Sequence, residues 1–351
     1  MAVYAVWNNK GGVGKSYLTF QVACEYARVH PDKRVLVVDL CPQANSSVML
    51  LGGMDSGERT INEMAVANPR LTISGYIEER IRSPYVNTHV GTRYATLVAN
   101  YNPHVPQNLY LVVGDETLEV QASRVLGACQ PGPADAWRVV HGWIGDLLND
   151  VTTANGRDRT TVFIDCNPSF SIYTELALAC AERLVLPFSA DGSSKRAVRS
   201  VLALVYGITR LPGATQSEFF NNANRFRMSL PLIYCYVGNR LTQYISSASA
   251  FHAVVNEITD EIWRVWQASP NLFQIHPPVA ATPRSRREFQ NMFCAEIADA
   301  NTASVVSQAL GIPLSVLTAG KKQVGSKTPR VNQSQLDSLI PNLGSLVDAI
   351  E

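Results

Sequence analysis

The residues best suited to do chemistry in this sequence are glycines set between two lysines, in the stretch NNKGGVGKSY from Asn8 to Tyr17. Gly11, Gly12 and Gly14 let the backbone approach an anion closely. Lys15 and Ser16 then supply a charge and a hydroxyl able to ligate Mg²⁺. A helix opening at this point adds its N-terminal amides to the same anion. The pattern G-x-x-x-x-G-K-[ST] calls for a glycine at position 9, where this chain has Asn9, so the loop is a deviant phosphate loop. Lys10 to Tyr17, with Val13 inside it, is the candidate nucleotide-binding stretch. Lys10 is the residue this pattern does not explain.

Two carboxylates extend the constellation. RVLVVD ends in Asp39 and TTVFID ends in Asp165. A Mg²⁺ bound to a nucleotide keeps several waters and needs few protein ligands, and carboxylates at strand ends can hold those waters. Ser16, Asp39 and Asp165 are therefore the candidate metal ligands.

These residues need a scaffold, and short β-branched runs alternating with helical patterns provide it. VYAVW is followed by a helix over Ser16 to Val29, then RVLVVD, and later TTVFID, RLVLPF and LPLIYCYV, each followed by a helix-like segment. The runs are apolar throughout, as expected of parallel strands covered on both faces. The predicted fold class is α/β: a central, mostly parallel sheet with helices on both faces, forming a single domain over residues 1–351. A variable region over 53–158 is inserted within it, with a helix at SGYIEERI, a strand at NLYLVV, a helix around DAWRVVHGWIGDLL and no second core. QPGPA, TTANGRD, LPGATQSEFFNNAN and AGKKQVGSKTPR read as surface loops. Residues 319–351 form a C-terminal loop and a helix with Leu336, Leu339, Leu343 and Leu346 on one face; Pro341 is expected to kink or divide it.

Composition sets outer bounds. With 351 residues and 46% hydrophobic side chains, the chain can bury a sizeable core. A formal net charge of +1 means that nucleic-acid binding has to come from a local patch. Seven cysteines without a C-x-x-C pair point to reduced thiols and a cytoplasmic location. Neither a signal sequence nor a membrane-length apolar run is found, so no membrane insertion is expected. The acidic C-terminal helix is also a poor match to anionic lipid. The local basic patch exists in outline: Arg284, Arg286 and Arg287 lie together in TPRSRREFQ, and Lys321 and Lys322 in GKKQVGSKTPR.

The K-G-G-x-G-K-[ST] form of Lys10 to Ser16 resembles the deviant Walker A ATPases of the ParA/MinD family. RVLVVDLCPQANSS resembles the family's second motif, D-x-D-P-Q-G-N, and TVFIDCNPS its Walker B stretch, D-C-P-P-S. The resemblance is specific from Met1 to about Asn239 and loose beyond. It implies ATP and Mg²⁺ as cofactors and a homodimer that sandwiches the nucleotide, in which Lys10 reaches the partner's phosphates. Lys10, Lys15 and Asp39 are then the catalytic candidates. Asn239, closing the strand in YCYVGN, resembles the family's adenine-contacting asparagine. Arg284 and Arg287 fall in a region resembling its DNA-contacting arginines, with Arg240 after the strand where another is often found. The implied role is partition of plasmid or chromosomal DNA, or cargo positioning, with nonspecific double-stranded DNA and a ParB-like adaptor or cargo protein as partners and nucleoid association if DNA is bound.

The sequence departs from the family at three places. Cys41 stands where the second motif has its second aspartate, which helps position the attacking water; a thiol does this poorly, so slow hydrolysis is expected. Ala44 replaces the motif's glycine, and Asn167 replaces a proline after Asp165. An ATP-binding switch with weak or no hydrolysis that controls a protein partner, and a MinD-like positioning factor, are the alternative functions. A ligase on the same sheet lacks a second substrate motif. An iron–sulfur reductase does not match at Cys129 and Cys166, and no metal beyond Mg²⁺ is implied.

Overall fold

The apolar runs become strands buried on both faces. The computed structural model describes all residues except 131, 154–155, 157–158, 190, 211–212, 242–244, 278–279, 299–300 and 351; of residues 240–241 and 245–251 it describes the backbone alone. β1 (Ala2–Val6) leads through the glycine loop into α1 (Lys15–Val29) and β2 (Arg34–Asp39). Next come α2 (Asn45–Leu50), α3 (Gly53–Val66), α4 (Ile73–Arg82), β3 (Ala95–Leu97) and β4 (Leu109–Val112). α5 (Thr117–Ala128), α6 (Ala136–His141) and α7 (Trp143–Thr153) precede β5 (Thr160–Asp165), α8 (Ile172–Cys180) and β6 (Arg183–Phe188). Then follow α9 (Ser194–Tyr206), α10 (Glu218–Arg225), β7 (Leu232–Leu241), α11 (Ile245–Ala268), α12 (Arg286–Phe293) and β8 (Cys294–Ala298). α13 (Thr302–Leu310), the short strands β9 (Gly320–Lys321) and β10 (Arg330–Val331), and α14 (Gln333–Asp348) complete the chain.

The eight-stranded sheet has the order β3-β4-β2-β5-β1-β6-β7-β8, and only the edge pair β3–β4 is antiparallel. β1 lies between β5 and β6, so the loop after it emerges at mid-sheet. The register pairs Asp39 with Asp165, bringing the two carboxylates to one end of neighbouring strands. Alternate residues of β1 feed opposite cores: Val3, Ala5 and Trp7 join one, Tyr4 and Val6 the other. The first core is closed by helices including α4, α7, α8, α9 and α12, the second by α1, α2, α13 and α14. The region between Asp39 and Asp165 adds β3 and β4 to this same sheet.

Two local expectations change. Within LPGATQSEFFNNAN a helix, α10, replaces the expected loop: the Ser217 hydroxyl accepts a hydrogen bond from the Phe220 amide at 3.1 Å, and Phe219 is buried in the first core. α14 continues through Pro341 and is not divided there. Pro341 and Asp337, the residue whose carbonyl loses its helical N–H partner, are both exposed, while Leu336, Leu339, Leu343, Leu346 and Val347 are buried. Burying five such side chains, each contributing about 1.5–3 kcal/mol, outweighs the roughly 3 kcal/mol cost of an internal proline. Part of AGKKQVGSKTPR is also ordered, as the antiparallel pair β9–β10.

Candidate phosphate-binding site

The glycine loop meets the geometric needs of an anion cradle. Gly12 and Gly14 have φ of 75° and 78°, a left-handed conformation that glycine adopts without strain. Gly14 caps α1 without a side-chain hydrogen bond, so amides in the first turn are left for an incoming anion. The loop is braced from two sides. Asn8 donates from its Nδ2 to the Pro187 carbonyl at 2.7 Å, and Asn239 donates from its Nδ2 to the carbonyls of Val13 at 3.0 Å and Gly14 at 3.3 Å. Asn239 is buried, and its Nδ2 holds the loop.

The two lysines occupy different environments. Lys15 is buried, its Nζ donating to the carbonyls of Lys10 at 2.8 Å and Asn8 at 3.3 Å. Burial lowers its pKa, and the nearby Asp165 opposes that. Lys10 points away from this cradle. Its Nζ donates to the hydroxyls of Ser189 at 3.0 Å and Ser194 at 3.3 Å, and it forms an ion pair with Asp191, in the segment following β6.

Asp39 and Asp165 are both fully buried but differ in what they bind. Asp39 Oδ1 accepts from the Cys41 amide at 3.1 Å, and Oδ2 from the Ser47 amide at 3.0 Å and its hydroxyl at 2.8 Å. The Ser47 hydroxyl in turn accepts from the Gly114 amide at 2.9 Å, and a Cβ at Gly114 would lie 2.8 Å from Asp39 Cγ. Asp39 thus organises the second motif. Among the described residues, both carboxylate oxygens of Asp165 are buried without a hydrogen-bond partner, as is the Ser46 hydroxyl. Burial and the charge of Asp39 push the Asp165 carboxyl up to about 7. An unpaired buried carboxylate is costly unless a cation or its waters take up the lone pairs. The donor set, the buried Asp165 carboxylate next to Cys166 of the cleft floor and the half-buried Ser16 hydroxyl that lines the cleft, is all-oxygen and suits Mg²⁺.

A cleft of about 740 Å³ opens over the glycine loop, within the roughly 300–1,000 Å³ typical of small-molecule sites. Its floor includes Gly12, Gly14, Lys15, Ser16, Tyr17, Cys41 and Cys166; its walls include Met49, Met54, Val305, Gln308 and Val324. Cys41 is buried, and burial with the charges of Asp39 and Asp165 pushes its thiol up to about 12. Ala44 takes φ 50° and ψ 30°, the left-handed conformation in which the family motif has glycine. Ser46, Ser47, Gly114 and the α13 wall were not among the residues singled out by sequence. The NSS following the second motif was the available signal for the serines; nothing local marks α13.

The basic residues are dispersed. Arg284 and Arg287 are exposed, whereas Arg286 Nε bonds Asp260 at 2.5 Å and its other nitrogens bond Gln290 and Asn256. Lys321 is exposed on β9, and Lys322 Nζ donates to the Thr318 hydroxyl at 2.7 Å. α12 is anchored in the first core by Phe289 and Phe293, and the β9–β10 segment in the second by Leu317 and Val331, on opposite faces of the sheet. The side chain of Arg240 lies outside the described residues. No helix among the described residues is long and apolar enough to cross a membrane.

Comparison with known proteins agrees with this geometry. A family model described as an AAA domain (AAA_31) matches residues 1–102. No curated protein matched the sequence. Among solved structures, the ATP complex of a variant McdA from Cyanothece is 13% identical over 100% of this chain and 96% of that chain, with a TM-score of 0.56. Apo McdA from Cyanothece is 14% identical over 90% and 92%, with a TM-score of 0.54. The pNOB8 ParA is 15% identical over 84% and 81%, with a TM-score of 0.50. With its glycine loop at mid-sheet and its carboxylates at the ends of the neighbouring strands β2 and β5, the chain has the fold of the ParA/MinD-like P-loop ATPases.

Proposed function

We propose that this protein is a ParA-like ATPase that binds Mg-ATP in the cleft, forms a nucleotide-sandwich dimer, and in that state binds double-stranded DNA without sequence preference, serving DNA partition or cargo positioning. The observation carrying this reading is the pairing of a two-lysine phosphate loop with the buried, unpartnered carboxylate of Asp165. Lys15 and the α1 amides would hold the β- and γ-phosphates, and Ser16 and Asp165 the Mg²⁺, directly or through its waters. The metal would neutralise charge on the transferring phosphoryl group. Lys10 serves the partner subunit and has to leave Asp191 to do so. Arg284, Arg287 and Lys321, with no ion pair among the described residues, suit a phosphate backbone better than Arg286 does.

Light scattering with ATP tests the dimer: wild type should form it and Lys10→Ala should not, while both bind ATP by calorimetry. An undiminished dimer in Lys10→Ala would refute the cross-subunit role. A second reading, a switch that turns over slowly, is favoured by Cys41, whose protonated thiol is a poor acceptor for the attacking water. Under this reading Cys41→Asp should raise basal phosphate release about tenfold, a barrier change of about 1.4 kcal/mol. A brisk wild-type rate that the substitution leaves unchanged removes it.

A further inference from the structure

The far wall of the cleft carries a group that the phosphate chemistry does not use, and its role rests on reading that cleft as a nucleotide site. Gln308, on α13, lines the same cavity as Gly12 to Tyr17, is half-buried, and makes no hydrogen bond among the described residues. The same cavity is lined by the apolar Met49, Met54, Val305 and Ala309, with Glu58, Gln43 and Asn45 as further polar groups. Flat aromatic rings favour the apolar part of such a lining, and an uncommitted carboxamide beside it can pair with a ligand or with water.

The wall is rigidly placed relative to the phosphate loop. Gln21 of α1 donates from its Nε2 to the Ser307 hydroxyl at 2.8 Å and accepts from the Leu314 amide at 2.9 Å, so α13 is fastened to the helix that opens at Lys15. Asn102 Nδ2 bridges the carbonyls of Leu50 and Gly311 at 2.9 and 2.8 Å. Glycines allow the closest approach: a Cβ at Gly53 would lie 2.2 Å from the Ala309 carbonyl oxygen, and one at Gly311 2.5 Å from that of Met49. Gln308 is therefore held at a fixed separation from the phosphate cradle, as a preorganised recognition group requires.

We propose that Gln308 is the residue that reads the nucleobase, selecting a purine with a 6-amino group. A carboxamide presents a donor and an acceptor side by side, matching the N6 donor and N7 acceptor of adenine; a 6-oxo purine offers two acceptors there and leaves the amide oxygen unpaired. Asn239, whose Nδ2 is bonded to the Val13 and Gly14 carbonyls, braces the loop and so acts on every ligand that carries phosphates.

The test is calorimetry of the full chain with Mg²⁺ and three probes: ATP, inosine triphosphate and inorganic tripolyphosphate. Wild type should prefer ATP to inosine triphosphate by roughly tenfold. Gln308→Leu should erase that preference. Tripolyphosphate affinity should be unchanged in Gln308→Leu, which also shows that the variant is folded. Asn239→Ala should weaken all three probes together. A wild-type preference that survives in Gln308→Leu, or one that vanishes in Asn239→Ala while tripolyphosphate still binds, overturns the assignment and leaves the nucleotide site standing. Lys15-independent binding of all three probes, or none at all, overturns both.

Discussion

The phosphate loop and the arginine-bearing start of α12 both display cations, and they hold them differently. Lys15 is buried, with its ammonium on two backbone carbonyls, and Lys10 is caught between two hydroxyls and a carboxylate. Arg284 and Arg287 stand in solvent. A cation fixed in a low-dielectric cradle defines the position of one ligand atom, whereas exposed cations contribute a field that salt screens. The first arrangement suits one specific phosphate and the second a polyanion of any sequence. Arg286 belongs with neither, since Asp260, Asn256 and Gln290 already occupy its guanidinium.

The largest expected effect tests the fixed side of this contrast. Lys15→Ala should lower ATP affinity by roughly 100-fold, because charge-assisted bonds to phosphate disappear, while the circular dichroism spectrum stays that of the wild type. Unchanged affinity by calorimetry would dissolve the contrast at its stronger end.

The next effect comes from the carboxylate facing that lysine. Asp165 has its folded-state pKa raised to about 7 by burial and by Asp39, against an ordinary value of 3.8. A raised folded-state value means that stability is full below the unfolded pKa and declines as pH rises through the folded one. Metal-free wild type should therefore lose stability between pH 5 and pH 8 relative to Asp165→Asn, by on the order of 2 kcal/mol in urea unfolding with a chelator. A difference that does not depend on pH would mean that Asp165 is already ionised in the metal-free fold.

Ala44→Gly is expected to matter less. Relieving a left-handed alanine should stabilise the protein by about 1 kcal/mol, offset in part by the greater freedom of glycine in the unfolded chain. A destabilised variant would show that the Ala44 methyl, buried in the second core, contributes more than the backbone strain costs.

The smallest effect sharpens the exposed end. Replacing Arg284 and Arg287 with alanine should flatten the salt dependence of DNA binding, by up to about 0.9 in log–log slope for each phosphate no longer neutralised, with melting temperature unchanged. Arg286→Ala should do the reverse, lowering melting temperature because α12 is no longer tied to Asp260 and Asn256 of α11, while leaving the slope nearly intact. If both variants behaved alike, the division between fixed and free cations would not hold at this surface.

Much of the site was legible because its determinants are local in sequence. A tight anion turn requires glycines beside a lysine and a serine, and strands covered on both faces require unbroken apolar runs, so Lys10 to Ser16, Asp39 and Asp165 could be picked out from one chain with their strands. Pro341 was weighed by its backbone alone, and tertiary burial of the leucine face of α14 outweighed it.

What the sequence by itself determined is the chemistry available: a phosphate loop, strand-end carboxylates and a thiol at Cys41 in place of an acid. Only the tertiary structure decided how those groups are committed. Asp39 is spent on Ser47 and the Cys41 amide while Asp165 is left unpaired; Lys10 rests on Asp191, some 180 residues along the chain; Gln308 faces the cleft from a helix that follows the last strand of the sheet. Each commitment depends on a neighbour far away in sequence, set by strand order and by the close approaches that Gly53, Gly114 and Gly311 permit. Residue type limits what a side chain can bind, and the fold, by choosing its neighbours, decides what it does bind.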